Sequence, residues 1–523
     1  MKRLISALIT VSILATSGLF VYADEEDLIP EEDLAIEEDQ EQEDPADEVF
    51  AEDIETEEVF SSEDDDEFSE EPYEEPDDEP EDISVDDIDA YDMDLVEVSS
   101  QSVSFVDGQI VEEDITVEYV DASEVEASGN TFSSLSDAGD YIRSHAASRD
   151  ATIKFTVTDS SLTKDNFFKK LRSTLLKHTG MPGQGDNLFY QLVGYNASYS
   201  SRGSTYDVEM EMEYYTTAAQ ERAVTNAINK AISSLDIEGK SQTVKICAIY
   251  DYICQNVEYD FDHQGDTEYL LQYTTYGAIV NKKAVCQGYA NLFYQMCLTA
   301  GVTNVRIDDG NASDGSVSDG HAWNVVKING KWYYADSTWD AGFGPGQYEY
   351  FLRGTSFFNK EHTSDWNYAK DLSIPSGDYQ GWLYHFGSYC YRGSDVKYVA
   401  SWKKIDGSWY YFGSYGFMST GWEKINNVWY YFGKDGAMVT GWQKIGGSWY
   451  YFEASGAMVS GSWKKLSGKW YYFQTSGVMK KGWLKYSGSW YYFDSTGAMV
   501  CSTSLNISGK TYKFDSTGVC TNP

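Results

Sequence analysis

The chain has 523 residues and a formal net charge of −47, from 85 Asp and Glu against 38 Lys and Arg. At roughly 100–200 residues per domain, this length predicts two or three domains. The charge is uneven, because residues 24–98 hold 40 acidic and no basic residues, whereas residues 99–523 hold 45 acidic and 36 basic ones. This acidic balance disfavours sequence-independent nucleic-acid binding, which needs a basic face for the phosphates, so we expect no nucleic-acid partner.

Residues 1–23 have the pattern of a secretory signal peptide. Lys2 and Arg3 precede an apolar run over residues 4–21, and Ala23 supplies the small residue at the cut. An uncleaved membrane anchor is the alternative, but several Ser, Thr and Gly residues dilute the run. No later segment has the roughly 20 apolar residues of a spanning helix. We therefore expect a secreted protein with no transmembrane domain in the mature chain.

Residues 24–98 are predicted to be a disordered acidic linker. Their apolar content is too low to offset the entropy of ordering, and their like charges repel one another. Divalent-cation binding is the alternative role of such a segment, but a solvated spacer is the simpler interpretation.

Seven cysteines in a chain of this length do not indicate a disulfide framework. Cys247 and Cys254 are seven residues apart on a predicted helix, which separates them by about 10 Å and prevents bridging. Cys286 and Cys297 are excluded by the same argument. Cys501 and Cys520 remain a pair that could be joined.

Residues 99–380 read as a mixed domain of the α+β class with an antiparallel sheet, because strands follow helices without strict alternation. We divide it into a leading subdomain (99–235), whose task the sequence does not reveal, and a core (236–380) that holds the chemistry. Helical periodicity is present near residues 136–146, 164–178, 217–235, 243–257 and 284–300. Strand alternation is present near residues 152–157, 207–214, 302–308 and 321–328.

The core contains a cysteine at a predicted helix start. An apolar stripe that includes Val285, Tyr289 and Phe293 predicts a helix from about Cys286. Unpaired N–H groups and the positive end of the helix dipole favour a thiolate at that position. A lone helical cysteine is more often a small core residue, so this observation needs partners.

A hairpin supplies those partners. Asn329-Gly330 predicts a two-residue turn between strands over residues 321–328 and 331–336. If Ile328 pairs with Lys331, His321 and Asp336 become diagonal neighbours on one face, close enough for imidazole and carboxylate to meet. A thiol, an imidazole and a carboxylate in this order form a nucleophile, a base and the group that orients the base.

Four segments resemble the transglutaminase-like branch of the papain-type cysteine hydrolases: residues 276–280 (YGAIV), 284–290 (AVCQGYA), 320–324 (GHAWN) and 332–339 (WYYADSTW). The resemblance implies Cys286 as nucleophile, His321 as general base and acid, and Asp336 as the orienting residue. It also implies acyl transfer through a thioester, with crosslinking, deamidation or proteolysis as outcomes. The residues do not choose among these outcomes.

Other candidate chemistry is weaker, and we predict neither a metal nor a cofactor. Asp309-x-Asn311-x-Ser313 begins like a calcium loop but lacks the turn Gly and the final Glu, so we predict a flexible loop leading to His321. The other histidines show no metal-ligand spacing. We expect His362 at the surface, with a substrate contact as the alternative.

Residues 381–523 repeat every 20 or 21 residues, after a degenerate first unit. Each unit has a Trp, a second Trp seven residues later, the sequence Tyr-Tyr-Phe, and a Gly that is usually followed by Met two positions on. This period predicts an all-β solenoid of hairpins, each buried against its neighbours. The aromatic residues could serve only as packing, but two Trp per unit exceed what such a core needs.

The repeats resemble the choline-binding, cell-wall-binding repeats of Gram-positive surface proteins. In that family, rings meeting at an angle hold a quaternary ammonium by cation–π attraction of about 0.5–2 kcal/mol per contact. The cages implied here are Trp402/Trp409/Tyr430, Trp422/Trp429/Tyr450, Trp442/Trp449/Tyr471, Trp463/Trp470/Tyr491 and Trp483/Trp490/Tyr512.

Similar repeats bind glucans, so the ligand is either teichoic acid choline or a glycan. Residues 401–500 carry 11 Lys and 5 acidic residues, which suits an anionic wall polymer. Several weak sites on one rod gain avidity on such a polymer.

Together these features predict a secreted enzyme that is held at the cell wall by its repeats and acts on protein or peptide amides. Two alternatives remain: a non-enzymatic surface adhesin or scaffold, and a hydrolase of peptidoglycan stem peptides.

Overall fold

The computed structural model describes residues 95–106, 109–125, 128–263, 266, 268–313, 318–344, 347–364, 372–394 and 397–523. The predicted signal peptide and nearly all of the predicted acidic linker lie outside these ranges. Within them, no helix is both long and apolar enough to cross a membrane.

The leading part of the chain is built on one seven-stranded sheet. Its strands are β1 (Leu95–Val106), β2 (Gln109–Glu112), β3 (Thr116–Asp121), β4 (Thr131–Phe132), β5 (Thr152–Thr158), β6 (Leu192–Arg202) and β7 (Thr205–Tyr214). Its helices are α1 (Leu135–Ala147), α2 (Phe167–Leu175) and α3 (Asp186–Gln191). The order is β2-β1-β6-β7-β5-β4, with β3 also on β1, and only the β4–β5 pair is parallel.

The second part packs helices on a five-stranded antiparallel sheet of order β13-β12-β11-β10-β14. Its helices are α4 (Ala218–Ser234), α5 (Gln242–Asn256), α6 (Cys286–Thr299) and α7 (Thr355–Phe358). Its strands are β8 (Glu258–Tyr259), β9 (Lys283–Ala284), β10 (Val305–Ser313), β11 (Ser318–Ile328), β12 (Lys331–Ala335), β13 (Phe351–Arg353) and β14 (His362–Ser364). Helix α6 lies against the sheet, where the Asn324 side-chain amide donates to the Ala290 carbonyl at 3.0 Å.

The predicted α+β class with an antiparallel sheet is confirmed, and α1, α4 and α5 agree with prediction within one residue at each end. Their caps explain the sharp starts: Ser134 accepts from the Asp137 N–H, and Thr217 and Gln220 form a capping box. Helix α2 is shorter than predicted. Strands β1 and β6 were missed because their many Ser residues have low strand propensity and depend on cross-strand partners.

One predicted loop is wrong. Asp309 to Ser313 is not flexible but forms the end of β10, where Asp309 pairs with Ala322 and Ser313 with Ser318. Strand β14 pairs with the other edge of the same segment. Because β11 and β14 pair with its two edges, β10 extends beyond its apolar residues. The alternation of residues within one strand does not reveal such pairing.

The C-terminal part is a series of two-stranded hairpins. They are β15 (Gly381–His385) with β16 (Ser388–Arg392), β17 (Ser401–Ile405) with β18 (Ser408–Phe412), β19 (Gly421–Ile425) with β20 (Val428–Phe432), β21 (Gly441–Ile445) with β22 (Ser448–Phe452), β23 (Ser462–Leu466) with β24 (Lys469–Phe473), β25 (Gly482–Tyr486) with β26 (Ser489–Phe493), and β27 (Thr503–Ile507) with β28 (Lys510–Phe514).

Backbone bonds and a Met–Gly contact join successive units. The Met438 N–H donates to the Trp409 carbonyl and the Met458 N–H to the Trp429 carbonyl, both at 2.8 Å. Gly436 has φ +78°, and a Cβ at this position would overlap the Met418 sulfur. The repeated Gly is therefore required both by its left-handed backbone and by the side chain of the preceding unit. The predicted solenoid of hairpins is confirmed.

The first hairpin, β15–β16, packs against the core helix α5. Leu383 and Cys390 are buried within the main hydrophobic cluster of the preceding domains. His385, fully buried, lies with Nδ1 2.7 Å from a carboxylate oxygen of Asp251 on α5. We assigned residues 381–392 to the repeats by sequence, but their apolar face is covered by the core as well as by the next hairpin.

Candidate functional site

Cys286 is the first residue of α6, and it is half-buried. The helix begins there because Val285 is extended (φ −91°, ψ 179°), with its N–H donated to the Gln272 carbonyl at 2.9 Å. Gly288 allows the first turn to approach this segment, since a Cβ there would lie 2.6 Å from the Ala284 Cβ. The sulfur is thus held where unpaired helix N–H groups are available.

His321 lies on β11, and Asp336 follows directly after the last residue of β12. Ile328 pairs with Lys331 and Asn324 with Ala335, as the Asn329-Gly330 turn predicts. His321 Nε2 is 2.7 Å from Asp336 Oδ2, and the two side chains are 9% and 0% exposed. The sequence-predicted partners are therefore brought together across the hairpin.

The charges around His321 favour its protonated form. Burial alone lowers the pKa of the ring, but the interactions with Asp336 and Cys286, each with a hydrogen bond, outweigh burial and raise the pKa to about 10. The ring thus interacts with both of its predicted partners, and it is set up to hold a proton at neutral pH.

Asp336 accepts four hydrogen bonds despite its complete burial. Oδ2 faces His321 Nε2 at 2.7 Å and His362 Nε2 at 3.1 Å. Oδ1 accepts the backbone N–H groups of Thr338 at 2.9 Å and Trp339 at 3.2 Å. Burial raises the pKa of the carboxyl group, but the two histidines outweigh it and hold the pKa well below its usual range.

Sequence reasoning missed His362, and its predicted surface position is wrong. The residue is 2% exposed and begins β14, which pairs with β10 and carries the imidazole to Asp336. Burial is the main reason that the pKa of His362 is lowered. No spacing signal could have found it, because its position depends on a three-residue strand at the sheet edge.

Aromatic rings surround this cluster. The Trp339 ring centroid lies 5.5 Å from that of His321 and 4.5 Å from that of His362, and Phe358 stacks on His362 at 3.9 Å. Within the described ranges, His321, Asp336 and His362 are the one group of three metal-ligating side chains found close together, with ligand atoms within 4.8 Å of one another. The other cysteines of the core are deeply buried, and burial raises the pKa of the Cys297 thiol.

The repeats bring the first Trp of every predicted ring set against its predicted Tyr. The two ring centroids lie 4.7–5.0 Å apart, and the rings meet at 66–71°. The five pairs are Trp402 with Tyr430, Trp422 with Tyr450, Trp442 with Tyr471, Trp463 with Tyr491, and Trp483 with Tyr512.

These tyrosines are more buried than expected of rings that only bind a ligand. Tyr450 is buried, whereas Tyr430, Tyr471, Tyr491 and Tyr512 are half-buried. Each tyrosine therefore packs between successive hairpins and leaves at most part of its ring open to a ligand. The packing role that the sequence left as an alternative holds for part of every set, and a cage role for the tyrosines stays a prediction.

The second Trp completes four of the five sets. In these four, the two Trp rings meet nearly perpendicularly, at 6.1–6.4 Å and 87–89°. The second Trp is an exposed ring in four units, at Trp409, Trp449, Trp470 and Trp490, with exposed fractions of 37–43%. In the unit that begins at Trp422, the first Trp is the exposed one instead, at 36%.

One predicted set departs from the pattern, and the structure contains one further set that was not predicted. In the fourth, Tyr486 meets the Trp463 ring at 5.8 Å and 83°, and Trp470 is not among the ring contacts of Trp463 in this described segment. A sixth, unpredicted set occurs in the degenerate unit, where Trp382 meets Tyr389 at 6.2 Å and 88° and Tyr410 at 5.0 Å and 73°. The sequence does carry a signal for this set, because Trp382 and Tyr389 are seven residues apart, like the two Trp residues of the later units.

Lysines cover one side of the second Trp. Lys404, Lys424, Lys465 and Lys485 place Nζ 5.8–6.0 Å from the ring centroids of Trp409, Trp429, Trp470 and Trp490. Each pair lies directly across its hairpin. The arrangement keeps positive charge beside the ring sets. Cys501 and Cys520 are both free thiols in the structure.

Protein-family models match two regions of the chain. Residues 233–337 match the transglutaminase-like superfamily. Residues 419–463 and 459–504 match the choline-binding repeat, and residues 401–416 match a cell wall binding repeat. The chain therefore carries a transglutaminase-like domain followed by choline-binding and cell wall binding repeats, an enzyme-like domain joined to a surface-binding region.

Among curated proteins, the chain is similar to the kyphoscoliosis peptidases of Mus musculus (28% identity over 202 residues) and Homo sapiens (26% over 196 residues). The matches cover 35% and 34% of this chain, but only 30% and 29% of those proteins. Among solved structures, it is similar to choline binding protein F of Streptococcus pneumoniae in the presence of a peptidoglycan analogue, at 29% identity and TM-score 0.27, with coverage of 42% of this chain and 71% of the other.

Proposed function

We propose that the protein is a secreted, wall-attached cysteine acyltransferase or hydrolase that acts on protein or peptide amides. The observation that carries the proposal is the 2.7 Å contact between His321 Nε2 and the buried Asp336 carboxylate, on a ring that also interacts with Cys286 at a helix start. Cys286 is the nucleophile, His321 the acid and base, and Asp336 the group that orients His321.

The chemistry follows from these positions. The Cys286 sulfur attacks the amide carbonyl carbon, and backbone N–H groups at the start of α6 stabilise the oxyanion. His321 gives its proton to the departing amine or ammonia, which leaves a thioester on Cys286. An acceptor then gives a proton to His321 and attacks the thioester carbonyl carbon, which breaks the C–S bond and restores the Cys286 thiolate: water releases an acid, whereas an amine forms a new amide bond.

Hydrolysis is the favoured outcome of the two. The curated relatives are named peptidases, and they share 28% and 26% identity with this chain over the matching region. Their similarity covers less than a third of their length, so the substrate is inferred only as a class. Peptide amides of the cell wall and of surface proteins are both within that class.

The central experiment compares amide turnover and thiol alkylation in matched variants. In a Cys501→Ala background, which removes the exposed thiol, iodoacetamide should label Cys286 first, and Cys286→Ala should abolish turnover of casein or wall peptides. Cys297→Ala is the matched control and should retain turnover. Preferential labelling of Cys247 or Cys297, or turnover that survives Cys286→Ala, would overturn the catalytic assignment. A correctly folded protein without turnover on any amide would favour the adhesin alternative.

We infer that the repeats hold the protein on a wall polymer through quaternary ammonium groups. The near-perpendicular rings support a cation cage, and neighbouring lysines suit the anionic backbone of such a polymer. The sixth set, Trp382 with Tyr389 and Tyr410, extends the same row toward the core.

Retention on an immobilised quaternary amine tests this inference. The full chain should bind and should elute with free choline, whereas glucose oligomers should not elute it. Retention on a glucan column that choline cannot compete would replace choline with a glycan as the ligand.

A further inference from the structure

We propose that His362 is a positioning residue of the catalytic site, acting through Asp336. Its Nε2 lies 3.1 Å from the same Oδ2 atom that His321 Nε2 contacts at 2.7 Å. The two imidazoles thus share one carboxylate oxygen. The inference rests on the proposed cysteine chemistry, and it adds a fourth residue to that site.

The hydrogen-bond inventory of His362 fixes its role. Asp336 is an acceptor, so His362 donates its Nε2–H to Oδ2. Its other nitrogen, Nδ1, is buried with no hydrogen-bond partner, as expected of a neutral ring whose single proton is on Nε2. The packed rings of Phe358 and Trp339 hold the imidazole in this orientation.

Two nearby aspartates show what the histidines contribute. Asp340 is equally buried and accepts from the Tyr250 hydroxyl and two backbone N–H groups, yet burial raises the pKa of its carboxyl group to about 7. Asp308 accepts from Ser364 and Trp323, and burial likewise raises the pKa of its carboxyl group to about 7. Asp336 differs from both by its two imidazole donors. His321 is the larger cause of the lowered pKa of Asp336, and the hydrogen bond from His362 adds to it, so His362 helps to keep the carboxylate ionised and turned toward His321.

A metal ion bridging His321, Asp336 and His362 is the competing interpretation of the same cluster. The four donors already satisfy both oxygens of Asp336, so the hydrogen-bonded arrangement is complete without a cation. It also leaves the His321 Nε2–H on Asp336, whereas a metal ion bound to Nε2 would take the place of that hydrogen bond and end the orienting contact.

The test uses two variants with opposite expectations. His362→Phe keeps an aromatic ring against Phe358 but removes the donor, and His362→Gln keeps an N–H donor but removes the ring. Positioning predicts that His362→Phe lowers kcat about tenfold or more with little change in KM, and that His362→Gln retains most of the activity. A role in packing alone predicts the reverse order, which would overturn the proposal. His145→Phe, on the remote helix α1, is the control for a histidine substitution.

A second readout separates this proposal from the proposed function. The alkylation rate of Cys286 in the Cys501→Ala background needs no substrate, and it should fall in His362→Phe and recover in His362→Gln. If the parent protein turns over no amide but alkylation follows this order, the proposed reaction fails while the positioning role stands. Equal alkylation in both variants would overturn the positioning role. The positioning role would also be overturned if the purified protein contained one equivalent of zinc and a chelator restored the alkylation of Cys286.

Discussion

The core and the repeats build their sites in opposite ways. In the core, Cys286, His321, Asp336 and His362 come from a helix start, strand β11, the residue after β12 and an edge strand, and they make up the single proposed catalytic site. In the repeats, each ring set comes from two consecutive hairpins and recurs along the row. A site built once from distant parts fails completely when one part is lost, whereas a row of similar sites loses function in steps.

The largest effect is expected from Asp336→Ala. Removing the carboxylate takes away the group that orients His321 and leaves two buried imidazoles without their acceptor. Turnover should fall by roughly 10³–10⁴-fold, measured as kcat/KM on casein or a wall peptide. Retention on a quaternary amine column should be unchanged, and a loss of both would mean that the two regions are not independent.

A pair of truncations tests where the core ends. A chain ending at residue 380 loses β15–β16. The Asp251 carboxylate then lacks its contact with His385, and the Phe351 carbonyl lacks the hydrogen bond that Arg392 donates. A hydrogen bond to a charged group contributes about 1.5–3 kcal/mol, and the burial of Leu383 and Cys390 against the core is lost as well.

The melting temperature of that truncated chain should therefore drop by about 10 °C. A chain ending at residue 400 keeps these contacts and the Tyr398 hydroxyl at 3.1 Å from His385, so its melting temperature should match that of the full chain. Equal melting temperatures for the two truncated chains would mean that the core ends at residue 380.

The pH dependence separates the two roles of the core site. With its pKa raised to about 10, His321 keeps its proton at neutral pH and loses it as the pH rises through 10. Turnover should then fall about tenfold per pH unit above 10, because the leaving amine has no acid, while Cys286 alkylation continues. The stabilisation from this raised pKa is complete below about 6.5 and is lost as the pH rises through 10. A fall in turnover centred near pH 7 would contradict this charge arrangement.

The smallest effect is expected in the repeats. Trp449→Ala removes one exposed ring from one of several sets, so retention on the quaternary amine column should weaken only by a few-fold. Combining it with Trp409→Ala and Trp490→Ala should weaken binding progressively, measured as the choline concentration needed for elution. Complete loss of binding from Trp449→Ala alone would mean that one site dominates the row.

Local patterns in the sequence determined the repeats and much of the core. The period of the Trp residues identified the hairpins, and Asn329-Gly330 fixed the register that places His321 near Asp336, because a two-residue turn leaves little choice of pairing. The start of α6 at Cys286 was predictable from its apolar stripe for the same local reason.

Tertiary structure decided what depends on distant pairing. Strand β10 continues through Ser313 only because β11 and β14 bond to both of its edges, and that same pairing buries His362 against Asp336. The first hairpin packs against the core because His385 meets Asp251, a residue 134 positions away. Hydrogen bonds and burial between distant segments leave no periodic trace in either segment, so only the folded chain reveals them.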